Sequence, residues 1–390
     1  MARSAAAADR LDFEVRPSVA LGTGWEAPVL LLLTLVAVSF GVVTVYSASA
    51  VKAQLGGLPH YHYLVRQAAG GAIGLVLLVI GANIDYRRYR LLAWPMIVAT
   101  IIALAILLVP GTESIAPERN GARRWLIVGP LNLQPSEFAK FTLMAWTAAV
   151  AVRKQDQLGS LTRGLLPFVL MWGLVVGLVA VEPSLSAALI VLLLSLLVIF
   201  AAGARIAHFA AFGLLGLPVL ITQIGSVQYR LERIWAFLHR TGDMSDMGYQ
   251  INQALIALGS GGLLGLGFGR GQQKFGFLPE PHNDFILAMI GEEWGFAGVT
   301  ALVLLFLAFA LIGFRIARQS PDLFGFLLAI GVTNLIALQA FLHMAVNLAV
   351  VPTTGVTLPF ISYGRSSLLV SLFAVGVLIN VARQAGRRLT

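Results

Sequence analysis

The run "APVLLLLTLVAVSFGVVTVY", Ala27–Tyr46, decides the fold. It carries no charged side chain over about twenty residues, the length that crosses a bilayer as an α-helix. In hydrocarbon every backbone N–H and C=O needs a partner inside the protein. Continuous apolar runs of this kind, rather than alternating ten-residue strands, therefore specify helices and not a barrel. The next residues, "SASAVKA" (Ser47–Ala53), resemble a signal-peptidase site. The apolar run exceeds the roughly 7–15 residues of a signal core, so it is read as a first membrane helix that is retained.

The rest of the 390 residues agrees: 58% are hydrophobic and 12% charged. Apolar runs place ten spans near 27–46, 67–82, 91–110, 137–152, 165–181, 185–202, 207–224, 298–314, 324–346 and 357–381. The fold class is thus an all-α polytopic membrane protein of about ten transmembrane helices. A tail is expected over 1–26, the helical domain over 27–381 and a second tail over 382–390. A long extracytoplasmic loop, about 225–297, joins the seventh and eighth spans.

The formal charge of +9 would suit nucleic acid. Its placement says otherwise. More than half of the 27 Lys and Arg lie in the tails and in short connections around Arg87–Arg90, Arg153–Lys154, Arg163, Arg205 and Arg315–Arg318. By the positive-inside rule that side is cytoplasmic, with both termini there, and no nucleic-acid partner is implied. The chain has no cysteine, which excludes disulfides and thiolate metal sites.

The long loop contains "GSGGLLGLGFGRGQQ" (Gly259–Gln273). Its glycines do not keep the register of a dinucleotide fingerprint and follow no strand, so they are expected to let irregular backbone pack against neighbouring helices. The loop ends in "LPEPHNDFILAMIGEEWGF" (Leu278–Phe296), with Asp284 just before an apolar helical run. Asn283 is expected to cap that helix, leaving Asp284 in its first turn. There the helix N-terminus favours a carboxylate. Glu292 and Glu293 read as polar residues on a solvated helix face.

This topology gathers the other conspicuous polar residues on the same outer side. Arg123 and Arg124 precede the fourth span and suit lipid headgroups or a diphosphate alike. Glu137 and Lys140, at i,i+3, share a helix face and neutralise one another, a structural arrangement as much as a functional one. Glu182 lies in the turn "VEPSLS" (Val181–Ser186), where it either caps or faces the site. His282 is read as a hydrogen-bonding loop residue, because no second histidine stands at ligand spacing. Arg365 opens the last span. Asp284 is either a helix cap or a general base tuned between burial and nearby cations. Arginines around one carboxylate, with apolar walls for a polyprenyl tail, point to glycosyl transfer from a lipid-diphosphate sugar.

Four stretches carry a resemblance: "NGARRWLIVGPLNLQPSEFAKF", "GYQINQALIALGSGGLLGLGFG", "QKFGFLPEPHNDFILAMIGEEWGF" and "MAVNLAVVPTTGVTLPFISYG". They resemble, in order, motifs of the SEDS family (shape, elongation, division and sporulation) of FtsW, RodA and SpoVE. The resemblance implies a ten-helix peptidoglycan glycosyltransferase in the bacterial cytoplasmic membrane. It would polymerise lipid II into undecaprenyl-diphosphate-linked glycan at the outer face, with a class B penicillin-binding protein and other divisome membrane proteins as partners. It implies Asp284 as the essential carboxylate and general base of an H-T-D-F motif, here with Asn283 for threonine. Glu137 and Lys140 become cavity charges, and Arg123 and Arg124 part of the preceding loop motif. A divalent cation, Mg or Mn, is an open possibility; no metal ligand is assigned. "QKFGFLPE" and "NLAVVPTTGVTLPF" stand nearer to FtsW, hence division. Two positions depart from the pattern: Ser184 replaces an acid of E/Q-P-D-x-G-T, and Arg365 replaces a glycine of S-Y-G-G-S-S. Other readings are a lipid II flippase, which would place polar residues through the midplane, an elongation role, and a catalytically silent scaffold.

Overall fold

A computed structural model describes residues 24–118, 122–129, 131–182, 184–238 and 246–387. Its helices are α1 Glu26–Leu55, α2 His62–Asn83, α3 Arg87–Leu108, α4 Pro135–Arg153, α5 Leu166–Val181, α6 Leu185–Ala201 and α7 Ile206–Gly225. They continue with α8 Gln228–Leu238, α9 Asp246–Ser260, α10 Ile286–Arg318, α11 Leu323–Asn347 and α12 Arg365–Arg387. Ten of these fall on the expected spans, while α8 and α9 fill the long loop. A short antiparallel hairpin, β1 Leu126–Val128 and β2 Leu131–Leu133, leads into α4. Of the tails expected over 1–26 and 382–390, residues 1–23 and 388–390 lie outside the described residues, and 382–387 continue α12.

Among the described residues, eight helices are long and apolar enough to cross a membrane, and α6 is apolar but shorter. Helix α4 is different. From Ser136 to Ala151 every residue but Phe138 is buried. It packs against α3, α6 and α11, so it stands within the bundle and meets protein on nearly every side. A helix surrounded in this way needs no lipid-facing apolar stripe, which is why it tolerates Glu137 and Lys140.

Helices α2 and α12 pack in close contact. A Cβ on Gly376 would stand 2.1 Å from the Leu78 carbonyl oxygen, and one on Gly81 would stand 2.8 Å from that of Phe373. Only glycine permits such an approach, the usual means of helix association where no water drives it. Asn380 fastens the same pair, donating to Ala82 O (2.9 Å) and accepting from Tyr86 N–H (2.9 Å).

Two expectations need correction. The last span does not begin at Thr357. Residues 357–364 are irregular, Phe360 has φ 68°, and the helix starts only at Arg365. Pro359 and Gly364 make continuous helix there unfavourable. Glu292 and Glu293 are not solvated; both are buried. Helix α10 breaks at Gly295 (φ 66°, ψ −165°), and the glycine-rich loop enters the break. Leu266 N–H donates to Glu292 O and Gly267 N–H to Glu293 O; Phe296 N–H donates to Gly262 O and Ala297 N–H to Leu263 O. A Cβ on Gly261 would stand 1.8 Å from Gly291 O, so the glycines do allow the close packing expected of them. The Glu292 carboxylate accepts from Gln272 N–H (2.7 Å), and that of Glu293 accepts from Ser47 (2.6 Å) and Lys274 (2.9 Å). These acids are buried because each has its partners in the docked loop or in α1.

Overpacking a closed contact costs about 1–3 kcal/mol or more. Gly376→Val is expected to lower the thermal unfolding midpoint of the purified protein by several degrees. Gly173→Val, at a position with nothing within 4 Å, leaves it unchanged. Equal midpoints would contradict the α2–α12 packing.

Candidate functional site

Asp284 occupies the turn between the long loop and α10. Its N–H and that of Asn283 both donate to Glu280 O (3.3 and 3.1 Å). The expected cap is not formed: α10 begins at Ile286, its N-cap position is Phe285 without a side-chain bond, and the Asn283 amide donates to Glu280 Oε2 (2.9 Å). Asp284 therefore precedes the first turn. The cap comes from another helix. Asn347, the last residue of α11, accepts from Ala288 N–H (3.2 Å) and donates to the carbonyls of Asp284 (3.0 Å) and His343 (2.9 Å).

The Asp284 side chain is half-buried, open on one side while dense protein surrounds the rest. Burial pushes its carboxyl up to about 7. The Glu280 charge adds to this, while Arg233, Lys52 and Arg124 oppose it. A Cβ on Gly355 would lie only 3.9 Å from Asp284 Oδ2, so the missing side chain there leaves space beside the carboxylate.

The cations come from distant stretches of chain. Arg124, after α3, donates through Nε to Glu182 O (3.1 Å). Arg233, on α8, donates to Thr353 O (3.2 Å), in the segment before α12. Arg230, one turn earlier on α8, donates to Gln223 O (2.6 Å) and Ala180 O (3.4 Å), and its charge bears on Arg124. Lys52 at the end of α1 forms an ion pair with Glu280. Arg230, Arg233, Lys52 and Glu280 are the residues that sequence reasoning missed. The i,i+3 spacing of the two arginines in "QYRLERIWAFL" (Gln228–Leu238) was the available signal.

The expected site residues divide. Arg124 and Glu182 join Asp284. The Glu182 carboxyl is buried, both oxygens lack a hydrogen-bond partner among the described residues, and burial raises it to about 8 against the pull of Arg124. His282 adjoins the site between the rings of Tyr63 and Tyr363 (4.6 and 5.5 Å). Burial holds its imidazole down to about 4, so it is neutral at pH 7. Arg123 turns away to pair with Glu113 (2.7 Å). Lys140 sits inside the bundle, bonded to Glu137 (2.6 Å) and to Gln339 of α11 (2.7 Å). Arg365 packs on α2, its Cγ 3.4 Å from where a Gly70 Cβ would stand. None of these three is among the charges that act most strongly on Asp284. The reason is the same for each: a nearer partner or a packing surface claims the side chain.

Among the described residues no three His, Asp or Glu side chains gather closely enough to hold a metal ion. The donor set does not fit a protein-enclosed divalent cation of the kind bound by several carboxylates. An acid of raised pKa such as Asp284, with an opening beside it and guanidinium groups around it, can take a proton and stabilise an oxyanion.

Known proteins share this architecture. The family described as "Cell cycle protein", of FtsW, RodA and SpoVE, matches residues 28–387. "Probable peptidoglycan glycosyltransferase FtsW" of Geobacter sulfurreducens is 40% identical over 91% of this chain and 94% of its own. "Stage V sporulation protein E" of Bacillus subtilis is 39% identical over 91% and 96%. Among solved structures, a chain of "Structural coordination of polymerization and crosslinking by a peptidoglycan synthase complex" superposes with a TM-score of 0.74 at 30% identity, over 91% of this chain and 97% of that one. The rod shape determining protein RodA of Thermus thermophilus gives 0.66 at 29%, over 91% and 96%. With nearly the whole chain matched in sequence and in fold, this polytopic membrane protein belongs to the FtsW/RodA/SpoVE family.

Proposed function

We propose that the protein is a peptidoglycan glycosyltransferase that polymerises lipid II at the outer face of the bacterial cytoplasmic membrane, in cell division. The observation that carries this reading is a half-buried carboxylate, Asp284, facing an opening at Gly355 under the charges of Arg124 and Arg233. Relatives named peptidoglycan glycosyltransferase FtsW support the activity and the division role. The distribution of Lys and Arg supports cytoplasmic termini and an outward site. The likeness to a chain of a peptidoglycan synthase complex supports a class B penicillin-binding protein as partner.

In this mechanism Asp284 accepts the proton of the 4-hydroxyl of the GlcNAc on an incoming lipid II. That oxygen bonds to the anomeric carbon of the growing chain from the face opposite the leaving group, inverting it. The anomeric C–O bond to undecaprenyl diphosphate breaks, and the electron pair leaves on the diphosphate. Arg124 and Arg233 stabilise that charge, as guanidinium groups do for phosphate oxygens. A base with a pKa near the working pH is suited to the first step. Lys140, held by Glu137 and Gln339, supports α4 against α11 and is not required at the diphosphate. The flippase reading draws on polar groups within the bundle, but Glu137 and Lys140 already neutralise each other there. Proteoliposomes separate the two: lipid II movement without polymer would favour transport.

Asp284→Asn is expected to lower lipid II polymerisation by the purified protein and its partner at least about 10²-fold, the contribution of general-base catalysis, with the thermal midpoint retained. Full turnover by this variant rules the mechanism out.

The charge state of Asp284 sets the pH dependence. Below pH about 7 the carboxyl is protonated and cannot accept the hydroxyl proton, so the rate falls as pH drops through that value. Arg124→Gln and Arg233→Gln each remove a charge that lowers this pKa and should move the limb to higher pH. Glu280→Gln should move it to lower pH. A limb unmoved by all three would separate activity from Asp284 ionisation.

Arg123→Gln, which breaks the pair with Glu113 and a long bond to Val109 O (3.4 Å), is expected to retain polymerisation within about twofold, because exposed ion pairs contribute little. Arg124→Gln loses it by tenfold or more. Equal losses would return Arg123 to the site.

A further inference from the structure

At the basic end of the bundle, far along α4 from Glu137, a cleft of about 470 Å³ opens between α3, α4 and α5. Its walls include Trp94, Trp146, Leu170 and Leu174, and Arg153 and Lys154 stand at one end. We propose that this cleft binds one anionic phospholipid, its phosphate on Arg153 and Lys154 and an acyl chain along the tryptophans and leucines. The site does not depend on the proposed activity.

Three observations converge. First, the volume lies within the roughly 300–1,000 Å³ of ligand sites, and the mouth opens sideways. Leu170 and Leu174, one turn apart on membrane-length α5, are 65% and 49% exposed. Such a mouth admits a molecule from the bilayer rather than from water.

Second, Trp146 lines the cleft while 2% exposed, yet its indole N–H has no acceptor among the described residues. Indole nitrogen is a donor only, and a buried donor without a partner is costly. The adjoining Trp172 shows the contrast: its N–H donates to Thr147 Oγ1 (3.0 Å). Trp94 meets Trp146 edge-on, with ring centroids 5.5 Å apart, so the two rings brace one wall. Trp146 is seven residues before Arg153 on the same face of α4, about 10 Å along the axis. A glycerophospholipid carries ester carbonyls beneath its phosphate, and both kinds of oxygen accept hydrogen bonds.

Third, the polar end is cationic and has donors to spare. Lys154 gives one N–H to Arg163 O (2.8 Å) and keeps two. The Arg153 side chain is exposed. The positive-inside distribution puts this end at the leaflet whose anionic lipids attract juxtamembrane cations. A zwitterionic lipid would bring an ammonium group towards the same two cations. A protein segment would bring backbone groups that the apolar walls cannot satisfy. An anionic lipid matches the cationic end with its phosphate and the apolar walls with its acyl chain.

Full-length protein in neutral detergent, titrated with dioleoylphosphatidylglycerol or dioleoylphosphatidylcholine and read by native mass spectrometry, tests the site. The wild type is expected to retain phosphatidylglycerol more tightly. The Arg153→Gln/Lys154→Gln double variant should lose affinity for it about tenfold or more, at roughly tenfold per 1.4 kcal/mol, with phosphatidylcholine unaffected. Trp146→Phe should weaken both lipids. Leu170→Trp, which fills the mouth from the exposed side and leaves the buried wall intact, should exclude both while preserving the thermal midpoint. Phosphatidylglycerol bound equally by the double variant, or by Leu170→Trp, overturns the site. Equal loss of both lipids in the double variant overturns the anionic assignment. Retention of detergent alone overturns the proposal as a whole.

Discussion

Asn347 binds three backbone groups at once, and the position of Asp284 depends on it. Its carboxamide holds the Asp284 and His343 carbonyls and the Ala288 N–H. The constraint behind this is general to membrane proteins. Where a helix starts inside the bundle, its first N–H groups have no intrahelical acceptor and no water. Here α10 begins without a cap of its own, so α11 supplies one. The bonds that complete α10 also fix the turn before it, and with that turn the direction of the carboxylate. The same rule governs the second discontinuity, at Gly295, where the glycine-rich loop takes up the freed carbonyls.

Once placed, Asp284 is set by a balance of opposing effects. Burial favours the neutral acid, and Arg233, Lys52 and Arg124 favour the anion. Arg124 acts on two acids, Asp284 and Glu182, and its Nε is committed to the Glu182 carbonyl. Neutral His282, clamped by Tyr63 and Tyr363, fills space beside the site without adding charge. The result is two acids, Asp284 and Glu182, near their points of ionisation beside guanidinium groups that stay charged. An anionic substrate would shift that balance towards the protonated acid unless the arginines paired with its phosphates. Binding and proton transfer are therefore coupled through the same two or three side chains.

Much of the fold was legible because hydrocarbon leaves few options. The apolar runs that became α1 to α7, α10 and α11 were visible from length and charge alone. The start of α12 was not, because "VTLPFISYG" (Val356–Gly364) is apolar enough to pass for helix while Pro359 and Phe360 turn the chain. At the site, Asp284, Arg124, Glu182 and His282 could be found because they are polar residues at the ends of spans. Arg230 and Arg233 were hidden in a connection whose helix is amphipathic, where charge usually signals solvent. Asn347 was hidden for another reason: its role is to bind backbone, and no side-chain pattern announces that. Glu292 and Glu293 were misjudged because their partners lie in a loop and in α1, contacts that only the tertiary fold creates.

The buried helix has a consequence for biogenesis. Helix α4 presents almost no surface to lipid and carries Glu137 and Lys140 within its first two turns. A helix with that face has little to gain from entering the bilayer alone. The bond between its two charges reduces the cost, and Gln339 completes it only after α11 has arrived. Co-translational insertion must therefore keep α4 beside its neighbours until about two hundred later residues have been made. During that interval the half-built bundle holds an incompletely bonded ammonium group.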